Sequence, residues 1–447
     1  MVKTLNSPNS DGQDRYARVR QLGWDIELLK NSTVLVVGAG ALGNEIIKDL
    51  VLTGVGHLLI VDPDIIETHN LTRSALFRPS DVGRRKAQVA TEAAREIEPD
   101  LDAVWHDSTV QSTLGLGVFR MVDVVLGGVD NLQTRRDLNR ACMITGTPFI
   151  DGGLFYLDGD VRVFLPPFPV CFDCTLTHEE REEGWRRWSC LKLASGDDSV
   201  VGPTAPTVAA MVGALQAQLA LKYLHRGREL PYKMTVPNGV RIRFNGFADE
   251  YERWDLARDP HCPTHVGSAQ VPEELIVSLA HGNDMDAGLL LRQAQEHLGP
   301  DAYVELGFDV VHTLTCFECG TSEPSMRREG ALTVGEAICT RCTPSNCDDC
   351  GEPIAPVFEE RPDLVFPDRV DCPRCFKSNA LVIRGTESLN RIEPGSPALG
   401  HSLAELGVPL MDILEAKAFD VDHGVFFQLD GDEDRAFRRA PRTPVAE

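Results

Sequence analysis

The sequence predicts an α/β fold: a Rossmann-like, doubly wound and mostly parallel sheet, followed by a smaller cysteine-rich region. Two observations predict the sheet. Strand-like and helix-like stretches alternate from residue 33 to residue 150, and a glycine turn directly follows the first strand. A third observation, a series of paired cysteines between residues 316 and 375, predicts the smaller region.

The predicted strands are short apolar runs, and the predicted helices fit between them. The strands are TVLVVG from residue 33, HLLIVD from 57, DAVWHD from 102, VDVVLGG from 122 and TPFIDGG from 147. The helices cover residues 41–54, 83–99 and 132–146. This alternation predicts a mostly parallel sheet with helices on both faces.

The rest of the chain divides into segments of different composition. We expect an amphipathic helical start at 1–30, a strand at 159–165, a loop with a helical piece at 177–199, a helix at 207–225 and antiparallel strands within 232–246. The predicted domains are a first domain at 1–268, a helical linker at 269–311, a cysteine-rich double ribbon at 312–384, and an extension at 385–447 with a partly disordered tail.

Composition narrows the function classes. The 447 residues carry a formal net charge of −23, which argues against nucleic acid as the main partner. An acidic surface serves solubility or selects a basic protein partner. The N-terminus is too polar for a signal peptide, and the apolar helix candidate that ends near residue 224 carries Gln216, Gln218 and Lys222. We therefore expect a cytoplasmic protein without a membrane partner, in which 13 cysteines act as metal ligands or nucleophiles.

The glycine turn points to a bound phosphate. Gly38, Gly40 and Gly43 form the pattern G-x-G-x-x-G, whose missing side chains let backbone N–H groups approach a phosphate at a helix N-terminus. Asp62 ends the second predicted strand, where a carboxylate can bind ribose hydroxyls. These residues alone fit NAD and ATP equally well.

Residues beyond the turn favour a reaction that expels pyrophosphate. Asn70, Arg73, Lys86 and Asp130 are predicted to lie near the carboxyl ends of successive strands. Hydride transfer needs few cations, whereas pyrophosphate release needs cations and a carboxylate that holds Mg²⁺. A substrate carboxylate is already ionised at neutral pH, so no general base is required, and we interpret His69 as a loop side chain.

Taken together, these motifs resemble one family. The first 268 residues are similar to the adenylation domain shared by MoeB, ThiF, HesA and ubiquitin-activating enzymes. The matching stretches are RYAR at 15–18, GAGALG at 38–43, DPDIIETHNLTR at 62–73, Lys86 and DNLQTR at 130–135. The resemblance implies an adenylyltransferase that uses Mg-ATP to activate the C-terminal glycine of a ubiquitin-like protein.

The resemblance also implies a role for each site residue. Asp62 would hold the ribose, while Asn70, Arg73 and Lys86 would contact the phosphates. Asp130 would bind Mg²⁺. The combination is far more specific than the glycines alone.

Two further positions matter in this comparison. Arg18 would reach the ATP bound by the other subunit of a homodimer, which requires a symmetric pair. Ser74 is a departure, because MoeB-like sequences usually have Gln after the Arg.

A first zinc site is predicted within the same domain. Cys171 and Cys174 form one C-x₂-C pair, and Cys262 with His265 forms a distant C-x₂-H pair, which together give four ligands for tetrahedral Zn²⁺. His261 is a rival fourth ligand. The resembling family often has four cysteines here, so the histidine is a departure in ligand type.

Four more C-x₂-C pairs predict two structural Zn²⁺ sites in the double zinc ribbon. The eight ligands are Cys316, Cys319, Cys339, Cys342, Cys347, Cys350, Cys372 and Cys375. Chain order suggests that the first two pairs share one ion and the last two pairs share another, although a crossed pairing stays open. The ribbons could recruit a carrier, a conjugating enzyme or a target, or serve only as scaffold.

Two cysteines remain outside these pairs. Cys142 lies at an apolar helical position and is predicted to pack in the core. Cys190 lies between the Cys171–Cys174 pair and the GPTAP motif at 202–206, in a stretch called here the crossover segment. Arg186, Arg187 and Lys192 are close to it in sequence, and nearby cations can depress a thiol pKa. Enzymes of the resembling family carry a cysteine in this segment, and in some of them it accepts the activated carrier. The resemblance therefore implies that Cys190 forms a thioester with the carrier for handover to a conjugating enzyme. The alternatives are an enzyme that activates a sulfur-carrier protein without a catalytic cysteine, and a non-catalytic zinc scaffold.

Overall fold

The computed structural model describes residues 14–182, 204–267, 270–332, 334–343, 369–370, 381–382, 384–419, 421 and 424–437. The chain forms two compact units. The first unit comprises Met1–Val271 together with Asp434–Glu447, and the second comprises Pro272–Glu433.

The first unit is built on one eight-stranded sheet. Its strands are β1 (Thr33–Val37), β2 (His57–Val61), β3 (Asp102–His106), β4 (Val124–Gly127), β5 (Phe149–Phe155), β6 (Asp158–Phe164), β7 (Val240–Asn245) and β8 (Glu250–Asp255). Their order across the sheet is β3-β2-β1-β4-β5-β6-β7-β8. Neighbours from β3 to β5 run parallel and neighbours from β5 to β8 run antiparallel, so the predicted doubly wound, mostly parallel fold is confirmed.

Helices cover this sheet. They are α1 (Ala17–Gln21), α2 (Ile26–Lys30), α3 (Ala41–Thr53), α4 (Lys86–Ile97), α5 (Val110–Thr113), α6 (Leu116–Met121), α7 (Leu132–Thr145), α8 (His178–Glu182), α9 (Pro206–Leu224) and α10 (Pro263–Gly267). The three predicted crossover helices are α3, α4 and α7. Among the residues that the structure describes, no helix combines the length and the apolar character that crossing a membrane requires.

The core of the first unit forms where α3 and α9 pack together against the central strands. α3 buries Leu42, Ile46 and Leu50 and ends at Gly54, whose φ of +97° is a left-handed conformation that favours glycine. Gly213 of α9 allows close approach, because a Cβ there would lie 2.6 Å from the Cβ of Glu45 in α3. Helix α9 is therefore packed closely against α3, the helix that follows the glycine turn.

The second unit contains a six-stranded sheet and a short two-stranded ribbon. Its strands are β9 (Ile276–Leu279), β10 (Tyr303–Thr315), β11 (Ser322–Arg328), β12 (Arg369–Val370), β13 (Leu381–Val382), β14 (Gly385–Ile392), β15 (Ile413–Lys417) and β16 (Val425–Leu429). Its helices are α11 (Ala287–Leu298) and α12 (Val334–Ala337), and α13 (Glu433–Ala436) follows the last strand. The larger sheet has the order β11-β10-β15-β16-β9, with β14 also paired to β10.

This second sheet crosses two of the expected domain boundaries, those at residues 312 and 385. The segment 269–311 is not a helical linker, because it contributes β9 and most of β10 as well as α11. The extension from 385 is not separate either, because β14 and β15 both pair with β10. The long strand β10 crosses the expected boundary at residue 312, so the cysteines lie inside one unit. Residues 438–447, where a disordered tail is expected, lie outside the described residues.

Candidate nucleotide site and metal centres

The glycine turn connects β1 to α3. Gly38 has a φ of +95°, and its N–H donates to the Val61 carbonyl at 2.8 Å. A Cβ on Gly43 would lie 1.9 Å from the Gly38 carbonyl oxygen, so only glycine allows α3 to start this close to the turn. A Cβ on Gly40 would meet nothing within 4 Å. Gly43 therefore serves packing, whereas Gly40 borders open space.

Asp62 lies at the end of β2, in contact with the turn. Its Oδ2 accepts the Ala39 N–H at 2.6 Å and its Oδ1 accepts the Asp64 N–H at 2.8 Å. The side chain is buried, and burial raises the pKa of Asp62 to about 6, although nearby Lys86 opposes that rise. A carboxylate held in this way is oriented by backbone donors.

Asn44 ties the turn to the following segment. Its Nδ2 donates to the carbonyl oxygens of Ala39 at 2.7 Å and Gly40 at 2.9 Å, and its Oδ1 accepts the Leu76 N–H at 2.8 Å. No motif in the sequence indicates a role for Asn44. The available signal was a polar residue directly after the last glycine of the motif.

Lys86 begins α4 and is surrounded by carboxylates. Its Nζ lies 2.8 Å from Asp64 Oδ2, and the side chain is only 12% exposed. Burial opposes its charge, but Asp62, Asp64 and Asp130 together outweigh burial and raise the pKa of Lys86. The structure therefore brings the predicted ribose ligand, phosphate ligand and Mg²⁺ ligand into one electrostatic cluster.

The segment after β2 places the other predicted phosphate ligands. Asn70 is buried in the 3₁₀ helix Thr68–Thr72, where its Oδ1 accepts the Glu67 N–H at 2.9 Å. Arg73 follows directly and is half-buried. The hydroxyl of Ser74 is buried without a hydrogen-bond partner among the described residues. His69 is exposed beside Glu67, but it lies in the same 3₁₀ helix and not in a loop.

Arg135 supports the loop that carries Asp130. Asp130 itself is exposed between β4 and α7. The buried Arg135 guanidinium contacts Asp151 Oδ2 at 2.8 Å and donates to the carbonyl oxygens of Val129 at 2.6 Å and Gly152 at 2.9 Å. The motif DNLQTR contains this residue, but its sequence gives no sign of contacts that reach β5.

Arg18, a predicted catalytic residue, makes no contact with this cluster among the described residues. Arg18 is exposed in α1. Cys190 lies outside the described residues. Cys142 is fully buried in α7, where burial raises the pKa of its thiol, so the predicted core role is confirmed.

The first predicted zinc site contains three converging thiols. Cys171 Sγ lies 3.7 Å from Cys174 Sγ and 3.6 Å from Cys262 Sγ. Tetrahedral Zn²⁺ with Zn–S bonds of about 2.3 Å requires sulfurs about 3.8 Å apart. His265 is not part of the sulfur cluster, yet its Nε2 is buried without a hydrogen-bond partner among the described residues. His261 is exposed.

The second cluster contains all four thiols of the first predicted ribbon. The sulfurs of Cys316, Cys319, Cys339 and Cys342 all lie within 4.8 Å of one another. Two of the separations are 3.8 Å and 3.7 Å, which also suit tetrahedral Zn²⁺. The remaining predicted ligands, Cys347, Cys350, Cys372 and Cys375, lie outside the described residues.

Comparison with known proteins identifies the first unit. Residues 16–264 match the ThiF family, which is more than half of the chain. The chain is 35% identical over 164 residues to SUMO-activating enzyme subunit 2 of Dictyostelium discoideum, covering 36% of this chain and 25% of that protein. It is 34% identical over 165 residues to the NEDD8-activating enzyme E1 catalytic subunit of Caenorhabditis elegans, covering 34% of this chain and 38% of that protein.

The chain thus spans less than two fifths of the length of these curated relatives. Among solved structures, E. coli MccB with ATP is 21% identical, with a TM-score of 0.47, over 57% of this chain and 75% of MccB.

Proposed function

The chain belongs to the ThiF family, and we propose that it is an ATP-dependent adenylyltransferase that activates the C-terminal carboxylate of a ubiquitin-like protein. One observation carries this proposal: the buried Asp62 lies against the glycine turn, and Lys86 lies among the carboxylates of Asp62, Asp64 and Asp130. A nicotinamide site has no need of that buried cation. A site that releases pyrophosphate does.

The proposed reaction is one displacement at phosphorus. A carboxylate oxygen of the carrier attacks the α-phosphorus of ATP, the bond from that phosphorus to the bridging oxygen breaks, and pyrophosphate leaves. Asp62 holds the ribose, while Asn70, Arg73 and Lys86 contact the phosphates. The cations stabilise the charge that develops on the leaving pyrophosphate, and the attacking carboxylate needs no general base.

Asp130 is the proposed ligand of Mg²⁺. Its exposed carboxylate oxygen is the type of donor that Mg²⁺ prefers, and its charge contributes to the raised pKa of Lys86. When bound, Mg²⁺ neutralises charge on the phosphates. The contacts of Arg135 with Val129 and Gly152 keep the Asp130 loop beside β5.

Pyrophosphate exchange into ATP tests the proposal. The protein is mixed with ATP, labelled pyrophosphate and the ubiquitin-like product of a neighbouring gene. We expect carrier-dependent exchange that Lys86→Ala reduces at least about 100-fold, since a buried cation contributes several kcal/mol to such a transition state. Lys30→Ala, at an exposed helix end, is the control that should keep full activity. No exchange by the wild type would instead favour a non-catalytic zinc scaffold.

We also propose that the active form is a homodimer whose sites are completed in trans by Arg18. An exposed position in α1 suits a residue that acts outside its own subunit. Arg18→Ala and Lys86→Ala would each be inactive alone. After subunit exchange about half of the dimers are mixed, and each mixed dimer has one intact site and one site that lacks both residues. Mixing should therefore restore activity at roughly a quarter of all sites. Failure to regain activity after subunit exchange would refute the trans arrangement.

A second step is proposed at Cys190. Its thiolate attacks the carbonyl carbon of the acyl-adenylate, the carbon–sulfur bond forms, and AMP leaves with the bonding pair of the broken C–O bond. A conjugating enzyme would then receive the carrier. A thiol-sensitive adduct on a non-reducing gel should appear with the wild type and be absent with Cys190→Ala. Cys190→Ser should give an ester that thiols do not cleave.

Exchange without any adduct would support the sulfur-carrier alternative. In that case Cys190→Ala would keep full pyrophosphate exchange. The adduct assay and the exchange assay therefore separate thioester formation from adenylation.

The cysteine clusters are proposed as structural Zn²⁺ sites. The sulfur separations in both clusters support this. The buried Nε2 of His265 has no hydrogen-bond partner among the residues that the structure describes, and we propose it as the fourth ligand beside Cys171, Cys174 and Cys262. Bound Zn²⁺ supplies folding free energy to each short segment.

A further inference from the structure

We propose that the segment Asp434–Phe437 forms the wall of the nucleotide site that faces the adenine base. This inference rests on the proposed use of ATP. It concerns a part of the chain that groups with the first unit although it follows the whole second unit in sequence. The family match ends at residue 264, so this segment lies outside the matched region.

One contact fixes the segment to the sheet. The Ala436 carbonyl oxygen lies 3.0 Å from His106 Nε2, across 330 residues of sequence, and Ala436 is fully buried. A carbonyl oxygen only accepts, so His106 Nε2 carries the proton and donates. The segment therefore docks through a hydrogen bond of defined direction.

His106 connects this contact to the ribose ligand. It is the last residue of β3, and its own carbonyl oxygen accepts the Asp62 N–H at 3.1 Å. Asp62 in turn accepts the Ala39 N–H of the glycine turn. His106 alone therefore connects the segment Asp434–Phe437 to Asp62, the residue proposed to hold the ribose.

The strand order predicts where the base lies. Ligands of open α/β sheets bind outside the carboxyl ends of the strands. In the proposed site the phosphates bind at the turn after β1, and the ribose binds to Asp62 at the end of β2. The next strand in the sheet is β3, so a base that continues in the same direction passes the end of β3. That end is where His106 holds Ala436.

Full-length variants of His106 test the inference by competition of ATP and of inorganic tripolyphosphate against a fluorescent ATP analogue. We expect His106→Ala to weaken ATP binding about tenfold and to leave tripolyphosphate binding unchanged, because the segment contacts the base end only. His106→Gln retains an N–H donor and should recover part of the affinity.

Two truncations separate the segment from the residues after it. A chain that ends at Glu433 lacks the proposed wall and should also lose about tenfold in ATP affinity, whereas a chain that ends at Phe437 should bind ATP within twofold of the wild type. Thermal unfolding of each variant shows whether it is folded. Unchanged ATP affinity in the folded shorter chain would overturn the inference, as would equal losses in both truncations or an equal loss for tripolyphosphate.

The same measurements distinguish this inference from the proposed function. A wild type that binds ATP but shows no carrier-dependent exchange refutes adenylation and leaves the base wall supported by the truncations. A wild type that binds no ATP refutes both.

Discussion

Acidification below pH 6 should weaken ATP binding through Asp62. Burial raises the pKa of this carboxyl from 3.8 to about 6. Ionisation of a carboxyl with so high a pKa costs the folded protein about 3 kcal/mol at pH 7. Since the folded pKa lies above the unfolded value, the stability that protonation contributes is fully present below pH 3.8 and is lost as pH rises through about 6.

ATP binding is expected to couple to this titration. Each oxygen of Asp62 already accepts a backbone N–H, so the ionised form is the one that can accept ribose hydroxyls as well. Below pH 6 the binding of ATP must expel the proton. Affinity should therefore stay level from pH 8 to pH 7 and fall about tenfold between pH 7 and pH 5.

Isothermal titration calorimetry in buffers of different ionisation heat measures both the affinity and the protons released. At pH 5.5 the wild type should release most of one proton per ATP bound. Asp62→Asn cannot titrate and should bind ATP more weakly. The titration of the ATP phosphates is common to both proteins, so the difference in their slopes isolates Asp62. Equal slopes, or affinity that rises as pH falls, would refute the coupling.

Three further perturbations test other parts of the site. Gly43→Ala should prevent stable folding of the turn, whereas Gly40→Ala should fold normally and lose ATP binding, as circular dichroism and nucleotide titration would show. Arg135→Lys cannot make all three contacts and should lower the free energy of unfolding in urea by about 3 kcal/mol, whereas Arg140→Lys, exposed on the same helix, should change it by less than about 0.5 kcal/mol. Cys319→Ser should reduce the zinc content measured by mass spectrometry by one ion per chain; unchanged content would contradict the proposed four-thiolate site.

The central parallel strands that the sequence revealed are mostly apolar along their length. Val34–Val37 of β1 is buried on both faces, so its residues are apolar without interruption. β8 was missed because all six of its residues are exposed on the edge of the sheet and four of them are charged. An edge strand of this kind has no burial pattern to detect.

The second sheet was missed for a different reason. The cysteine pairs led to a predicted domain boundary at residue 312, which lies inside β10 near its C-terminal end. Its neighbours β14 and β15 come from a segment that begins about 70 residues further along the chain. Pairing across such a distance leaves no periodic signal in either segment alone.

The residues proposed to bind ligand were easier to predict from the sequence than the residues that support them. Asp62 and Lys86 stand at fixed distances from a glycine motif, so their position alone carried information. Asn44 and Arg135 act through backbone carbonyl and amide groups of other segments, which any residue type can supply. Local sequence therefore identifies the chemistry of the site better than the contacts that hold it in place.

The ends of the crossover segment bear on the proposed thioester step. On its N-terminal side, Arg181 contacts Asp259 and donates to the Asp173 carbonyl oxygen, next to the first thiol cluster. On its C-terminal side, Thr204 bridges to Tyr156 just before α9, whose Gln216 donates to the carbonyl oxygens of β4 and β5.

Cys190 lies 8 positions after Glu182 and 14 positions before Thr204, so the arm from Glu182 is the shorter one. An extended chain covers about 3.4 Å per residue, so the shorter arm limits the thiol to within about 27 Å of Glu182. The proposed thioester step requires the Cys190 thiol to reach the acyl-adenylate within this limit. Shortening the arm between Glu182 and Cys190 should abolish the thioester before it affects pyrophosphate exchange, and simultaneous loss of both would contradict this separation of the two steps.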